Sequence, residues 1–257
     1  MNTPAPDVSP RNDSAELLAR LDSAERRPDA LALRARVREL LRHRPGDTIL
    51  DVGCGGGTAV AEMRAEGARA VGFDIDPVML QTARERHPEA EFAMADAESL
   101  LLPDGAVRGY RAERVFHTIR EPERALAEAH RVLAPGGRLV LIGQDWDAIM
   151  IAADDAELTR TLVHANARAM PDPSAPRRQP ELLRAAGFTG IEVEGTVAVF
   201  TDETAVPMLT GLASRAQEAG ALSPRRAQEW IAEQRGRATS GRLFLAIPYL
   251  IVSADRI

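Results

Sequence analysis

A glycine-dense turn directly after an apolar strand constrains this chain more than any other feature. Residues 48–52 read Thr-Ile-Leu-Asp-Val, and glycines follow at positions 53, 55, 56 and 57. Glycine lets the backbone approach a ligand where a Cβ atom would collide. Residues 59–66 are predicted to form a helix whose N-terminus completes the same pocket. The sequence therefore predicts a strand–turn–helix unit with a ligand site at the turn, next to the carboxylate of Asp51.

The spacing of these glycines differs from the dinucleotide fingerprint. Counted from Gly53, the last glycine of Gly-x-Gly-x-x-Gly would fall on Thr58. The chain nevertheless places Asp74 after a short apolar strand, 21 positions beyond Gly53 (74 − 53 = 21). A carboxylate at that separation in a βαβ unit suits the two hydroxyl groups of a ribose. The turn and the carboxylate together predict a ligand that contains a ribose.

The following segments extend the same alternation of strands and helices. Pro77 is predicted to begin a helix, and residues 91–94 form a third short strand that leads to Asp96. Residues 121–133 are predicted as an amphipathic helix, and residues 138–143 as a buried strand. Residues 191–200 alternate apolar and polar side chains, which is typical of a half-buried strand. The pattern predicts an α/β protein.

Two motifs give the chain a family resemblance. Asp-x-Gly-x-Gly-x-Gly at residues 51–57 resembles the first motif of class I S-adenosylmethionine-dependent methyltransferases, whose cofactor has no pyrophosphate. Leu-Ala-Pro-Gly-Gly-Arg-Leu at residues 133–139 is similar to the sequence before the fifth strand of that family. The resemblance covers residues 46–200. It implies a doubly wound, mostly parallel seven-stranded sheet of Rossmann-like type, with the last strand at residues 243–252.

The resemblance also implies a cofactor, S-adenosylmethionine, and S-adenosylhomocysteine as its product. Asp74 is expected at the ribose, Asp96 at the adenine amino group, and the backbone amide of Ala97 at the adenine ring. No metal site is expected. The residues predicted to bind the cofactor are Asp51, Gly53, Cys54, Gly55, Asp74, Ile75, Met79, Asp96, Ala97 and Ala112.

The fourth strand carries a departure from the family pattern. Val107 and Arg108 stand where the family usually has Phe-Asp, which suggests a local rearrangement rather than loss of cofactor binding. Side chains just after this strand face the methyl group and the substrate in the family, which makes His117 and Glu113 candidate catalytic residues. An imidazole can take a proton from an acceptor near neutral pH. Asp145, after the fifth strand, is the third candidate.

Composition limits the functional classes. The 257 residues, 45% of them hydrophobic, suit one large α/β domain with an appended cap. The net charge of −6 argues against nucleic acid as a partner, since binding phosphates normally requires a basic surface. The single cysteine excludes an intramolecular disulfide. Neither a signal peptide nor an apolar run of membrane-spanning length is present, so a cytoplasmic monomer or homodimer is expected.

The positions of prolines and of predicted helices indicate how the chain is organised. Residues 1–44 are expected to form a helical lid, with helices at 14–26 and 29–44, although packing of these helices against the sheet is an equally good interpretation. Residues 45–257 form the methyltransferase domain, with cap insertions near 150–180 and 202–240. Such insertions are expected to shape the pocket for the acceptor. Residues 171–176, with three prolines, are predicted to be an extended or turning linker.

Three classes of function follow. The leading one is methyl transfer from S-adenosylmethionine to an oxygen, nitrogen or carbon of a small molecule, such as a bacterial secondary metabolite. A second is a methyltransferase fold that binds this cofactor but performs non-methylating chemistry, as a cyclase, or only binds a ligand. The third, an NAD-dependent oxidoreductase, is disfavoured by the glycine spacing and by the Pro-Gly-Gly motif.

Overall fold

A computed structural model of the chain describes residues 27–257. The predicted helix at residues 14–26 lies outside the described residues. The described chain alternates helices and strands in its first half and adds further helices between its last strands. The helices are α1 (Pro28–Leu41), α2 (Thr58–Ala65), α3 (Pro77–Arg86), α4 (Pro122–Val132), α5 (Ala156–Arg168), α6 (Ala175–Ala185), α7 (Val206–Glu218, after a 3₁₀ turn Glu203–Ala205) and α8 (Pro224–Thr239). The strands are β1 (Thr48–Val52), β2 (Arg69–Asp74), β3 (Glu91–Met94), β4 (Val107–Glu113), β5 (Leu133–Gln144), β6 (Met150–Ile151), β7 (Thr189–Phe200) and β8 (Leu245–Asp255).

One sheet organises the molecule, in the order β3-β2-β1-β4-β5-β8-β6, with β7 paired to the other side of β8. Strands β1 to β5 run parallel, and β8 is antiparallel to β5, β6 and β7. The expected mostly parallel, Rossmann-like sheet is therefore confirmed. Residues 27–257 contain seven strands of four residues or more, and the two-residue β6 makes an eighth. The last strand, β8, lies two to three residues later than the predicted 243–252.

Helix boundaries follow local capping chemistry. Asp76 accepts a hydrogen bond from the backbone of Val78 at the start of α3, and Ser223 caps α8 in the same way. The predicted linker at residues 171–176 is wrong at its end, because α6 begins at Ala175 and includes Pro176. Proline fits the first turn of a helix because that turn leaves its N–H groups without helical partners.

The sheet is covered on both faces. Leu139 and Leu141 of β5 point into a core with α4 and α6, whereas Val140 and Ile142 point into a core with α1, α2 and α3. This alternation is the period of two of a strand that is buried on both sides. A ligand can therefore reach the parallel strands only at their ends, where the loops begin.

A third core belongs to the cap formed by α5, α7 and α8. Trp230 of α8 is fully buried there, and its indole N–H donates to the hydroxyl of Thr159 on α5 at 3.0 Å. Among the described residues, no helix combines the length and apolar character needed to cross a membrane.

Candidate functional site

The glycine turn lies at the carboxyl end of β1 and is fixed to β2. Gly53 adopts a left-handed conformation, with φ of 69°, and a Cβ atom there would collide with Val115. Gly55, with φ of 52°, faces open space and donates its N–H to the carboxylate of Asp74 at 2.8 Å. Both positions have a left-handed backbone conformation that favours glycine. Only at Gly53 does a neighbouring side chain also leave no space for a Cβ atom.

A groove opens at the carboxyl ends of β1, β2 and β3, with a volume of about 460 Å³. Asp74 accepts from the backbone of Gly55 and Asp76, and Asp96 accepts from the backbone of Glu98. Each carboxylate has further lone pairs available for ligand donors. Five of the residues predicted to bind the cofactor line this groove: Gly53, Asp74, Ile75, Asp96 and Ala97.

A smaller loop cavity, of about 80 Å³, is also lined by Gly53. It brings together Asp51, Cys54 and Gly55, all three predicted from the sequence. The Cys54 sulfur fits against Gly72, where a Cβ atom would lie 2.8 Å from it, and burial raises the pKa of this thiol. Cys54 therefore serves packing of the loop.

Asp51 is completely buried beneath the loop cavity. Its Oδ1 accepts from Arg111 of β4 at 2.5 Å, whereas its Oδ2 has no hydrogen-bond donor among residues 27–257. Burial raises the pKa of Asp51, and the charge of Arg111 opposes this rise without cancelling it. A buried carboxylate oxygen without a donor is suited to a cationic or N–H-bearing ligand group.

Two other predicted cofactor residues stand apart from both spaces. Met79 is half-buried on α3, and Ala112 is buried within β4. Neither lines the groove or the loop cavity. Their predicted roles came from the family pattern, and the structure adds no contact that supports them.

A third space, the side cavity, lies between α1, β7 and β8 and has a cavity volume of about 90 Å³. Most of its wall is apolar. Gln144 and Tyr249 also line it, and the amide N–H of Gln144 donates to the phenol oxygen of Tyr249 at 2.7 Å. Burial raises the pKa of Tyr249. The residues along the rest of the wall are Arg27, Asp29, Ala30, Leu33, Arg34, Glu113, Arg114, Thr196, Val197, Ala198, Phe200 and Met208.

Glu113 and Arg114 line all three spaces. They follow one another at the carboxyl end of β4, where Arg114 has a positive φ of 58° and its N–H donates to the Ile142 carbonyl at 2.8 Å. Gly53 is shared by the groove and the loop cavity alone. The three spaces therefore meet at the end of β4.

The structure separates the three candidate catalytic residues. Glu113 lies at the meeting point, whereas His117 and Asp145 line none of the three spaces. Burial and the charge of Arg114 lower the pKa of His117, whose ring lies 6.0 Å from that of Trp146. Asp145 is buried and accepts from Arg177 at 2.5 and 2.7 Å. The roles of His117 and Asp145 remain predictions.

Several residues of the site were missed by sequence reasoning. Arg111 is an arginine in the middle of a buried strand, and that position was a readable signal, since buried arginines are normally paired. Arg34, Gln144 and Tyr249 gave no such signal. They join the site only because α1, β5 and β8 converge.

A doubly wound sheet with acidic groups at the carboxyl ends of β1, β2 and β3 is typical of nucleoside-binding α/β proteins of Rossmann-like type. Comparison with known proteins makes this class specific. Residues 50–141 match the family described as Methyltransferase domain. Demethylmenaquinone methyltransferase of Clavibacter sepedonicus is 31% identical over 168 residues, which are 57% of this chain and 67% of that protein. The chain belongs to the class I S-adenosylmethionine-dependent methyltransferase family, as its motifs predicted.

Other relatives match over different lengths. An uncharacterized 37.1 kDa protein in a Streptomyces fradiae transposon is 34% identical over 84% of this chain. Demethylmenaquinone methyltransferase of Thermus thermophilus is 40% identical over 44% of this chain. The chain spans 65% of the Streptomyces protein and 54% of the Thermus protein.

Solved structures share the fold. A provisionally assigned methyltransferase from Bacillus halodurans matches with a TM-score of 0.62 and 18% identity, over 87% of this chain and 98% of that one. The [4+2]-cyclase SpnF matches with a TM-score of 0.55 and 23% identity, over 88% of this chain and 80% of that one.

Proposed function

We propose that this protein transfers a methyl group from S-adenosylmethionine to an oxygen, nitrogen or carbon of a small molecule. The meeting of three spaces at Glu113 and Arg114 carries the proposal, because a bisubstrate reaction needs the cofactor and the acceptor to share one point. The groove and the loop cavity are assigned to the cofactor. The side cavity is assigned to the acceptor.

The residues present fit this cofactor. S-Adenosylmethionine carries many donors and positive charges, namely an adenine amino group, a ribose diol, an ammonium group and a sulfonium. The matching acceptors are Asp96 and Asp74 in the groove, the unpaired Oδ2 of Asp51 in the loop cavity, and Glu113 between them. When bound, the sulfonium supplies an already activated methyl group. The protein then has to position the two partners and exclude water.

The side cavity indicates the class of acceptor. Leu33, Val197 and Phe200 offer apolar contact, while Gln144 and Tyr249 offer hydrogen bonds near the end of β4. An acceptor with an apolar body and one protic group fits this division. A bacterial secondary metabolite of this kind remains the proposed substrate. A cytoplasmic monomer or homodimer without nucleic acid belongs to the same proposal, which size-exclusion chromatography and cell fractionation test.

Calorimetric titration of the full chain with S-adenosylmethionine, S-adenosylhomocysteine and NAD is the first experiment. We expect S-adenosylmethionine and S-adenosylhomocysteine to bind and NAD not to bind. Binding of NAD, with no binding of the other two ligands, would overturn the proposal. A second assay follows release of S-adenosylhomocysteine with a panel of apolar phenols, amines and carbon acids. Conversion of a panel compound without such release would indicate non-methylating chemistry, the activity for which the structural neighbour SpnF is named.

A further inference from the structure

Arg111 holds two carboxylates of the site together. It is buried in β4, donates to Asp51 below the glycine turn at 2.5 Å, and donates through its other terminal nitrogen to Glu113. A planar guanidinium can hold two carboxylates in fixed directions, which the single ammonium of a lysine cannot do. The orientation of Glu113 is therefore set by a partner on its own strand and, through it, by β1.

Glu113 is surrounded by charged and titratable groups on several elements. The charged groups are Arg111 of β4, Arg114 directly after β4, Arg34 of α1 and Asp51 of β1, and Tyr249 of β8 is a further titratable group. Burial alone would raise the pKa of Glu113, but the three arginines outweigh burial and hold its pKa below the usual range. The carboxylate is thus negative at neutral pH.

The position of Glu113 matches the centre of the cofactor. The groove suits the adenosine part and the loop cavity suits the methionine part, and sulfur joins these two parts. Within the described part of the chain, only Gly53, Glu113 and Arg114 line both spaces, and of these Glu113 bears the negative charge. Arg114 itself pairs with Glu113, at 3.4 Å.

We propose that Glu113, oriented by Arg111, is the carboxylate that distinguishes the positively charged cofactor from its neutral product, with Arg111 as a positioning residue. The inference rests on the proposed function. Methyl transfer breaks the bond between carbon and sulfur and leaves the bonding pair on sulfur, so the positive charge there disappears. A fixed carboxylate at this point therefore favours the cofactor over the product, and favours their exchange after each turnover.

The test is the ratio of the affinities for S-adenosylmethionine and S-adenosylhomocysteine, measured by calorimetry without any acceptor. Glu113→Gln is expected to lower this ratio about tenfold, mainly by weakening binding of the charged ligand. Arg138→Met is the matched control, because Arg138 is also a buried arginine with carboxylate partners but lies outside the three spaces. It is expected to keep the wild-type ratio.

The role of Arg111 is tested by pH. Arg111→Met removes a positive charge that opposes the effect of burial, so the pKa of Glu113 is expected to rise. The affinity ratio of this variant should then fall as the pH is lowered from about 8 to about 6, whereas the wild-type ratio stays constant over this range. Arg111→Lys keeps the positive charge and replaces Arg111→Met in the experiment if that variant does not fold. We expect Arg111→Lys to retain part of the wild-type affinity ratio.

Each outcome separates the two proposals. An unchanged ratio in Glu113→Gln, or an equal loss in Arg138→Met, overturns the role of Glu113 while both ligands still bind. A flat pH profile in folded Arg111→Met, or a full wild-type ratio in Arg111→Lys, overturns the positioning role. Failure of the wild-type protein to bind either ligand overturns the proposed function itself.

Discussion

At the scale of single residues, the site depends on backbone conformations and buried charges rather than on an unusual nucleophile. Gly53 and Gly55 provide the turn, and Asp74 receives a backbone N–H from it. The sequence predicted these positions because glycine and aspartate are residue types that indicate a particular local backbone conformation. It missed the pairing of Arg111 with Asp51, since the two residues lie 60 positions apart.

The two glycines give a matched pair of substitutions. Gly55→Ala points a methyl group into open space, so we expect a stability loss of only about 1–2 kcal/mol, from its positive φ, together with at least a tenfold loss of cofactor affinity. Gly53→Ala adds a collision with Val115, so its loss of stability should be larger. Urea unfolding and calorimetry measure the two effects. Normal binding by Gly55→Ala would mean that the cofactor does not occupy the loop cavity.

At the scale of elements, local signals predicted the strands of the sheet and the starts of most helices. Pro77 and Pro224 stand at helix starts, as expected. The linker at 171–176 was predicted wrongly at Ala175 and Pro176 because proline marks loops and first helical turns equally well. Helix α1 packs on the sheet through Val37, Leu40 and Leu41, and its residues 29, 30, 33 and 34 line the side cavity. The role of this segment as a lid stays a prediction.

Strand β7 allows a test of the acceptor site. Val197 lines the side cavity, whereas Val193, on the same strand, is similarly exposed but does not. Val197→Trp should fill the cavity and lower methyl transfer by at least tenfold, with cofactor affinity unchanged. Val193→Trp should leave both quantities at the wild-type level. Release of S-adenosylhomocysteine and calorimetry provide the readouts, and equal activity of the two variants would place the acceptor elsewhere.

At the scale of the whole molecule, three cores are tied to one sheet, and burial also affects titratable groups that line none of the three spaces. The pKa of His117 and that of His130 lie below the ordinary value of 6.5. Burial is the larger cause in each case, and the charge of a nearby arginine is the smaller one. The unfolded chain therefore binds more protons than the folded protein as pH falls through this value. Such a difference lowers the free energy of unfolding.

We accordingly expect the free energy of unfolding to decrease from about pH 7.5 to pH 5.5, measured by urea denaturation. The double variant His117→Gln, His130→Gln should reduce this dependence. His164→Gln, at an exposed position on α5, is the control and should retain it. A wild-type slope in the double variant would assign the dependence to other groups.

The sequence by itself determined the family, the succession of strands along the chain and five residues that line the groove. It could do so because a glycine turn and an acidic residue at the end of a strand are local features. Only the tertiary structure decided the acceptor side. Arg27 donates to the carbonyl of Val199, 172 positions away, and Gln144 donates to Tyr249, 105 positions away. No local pattern records such contacts, since they arise when hydrophobic burial brings α1, β7 and β8 together.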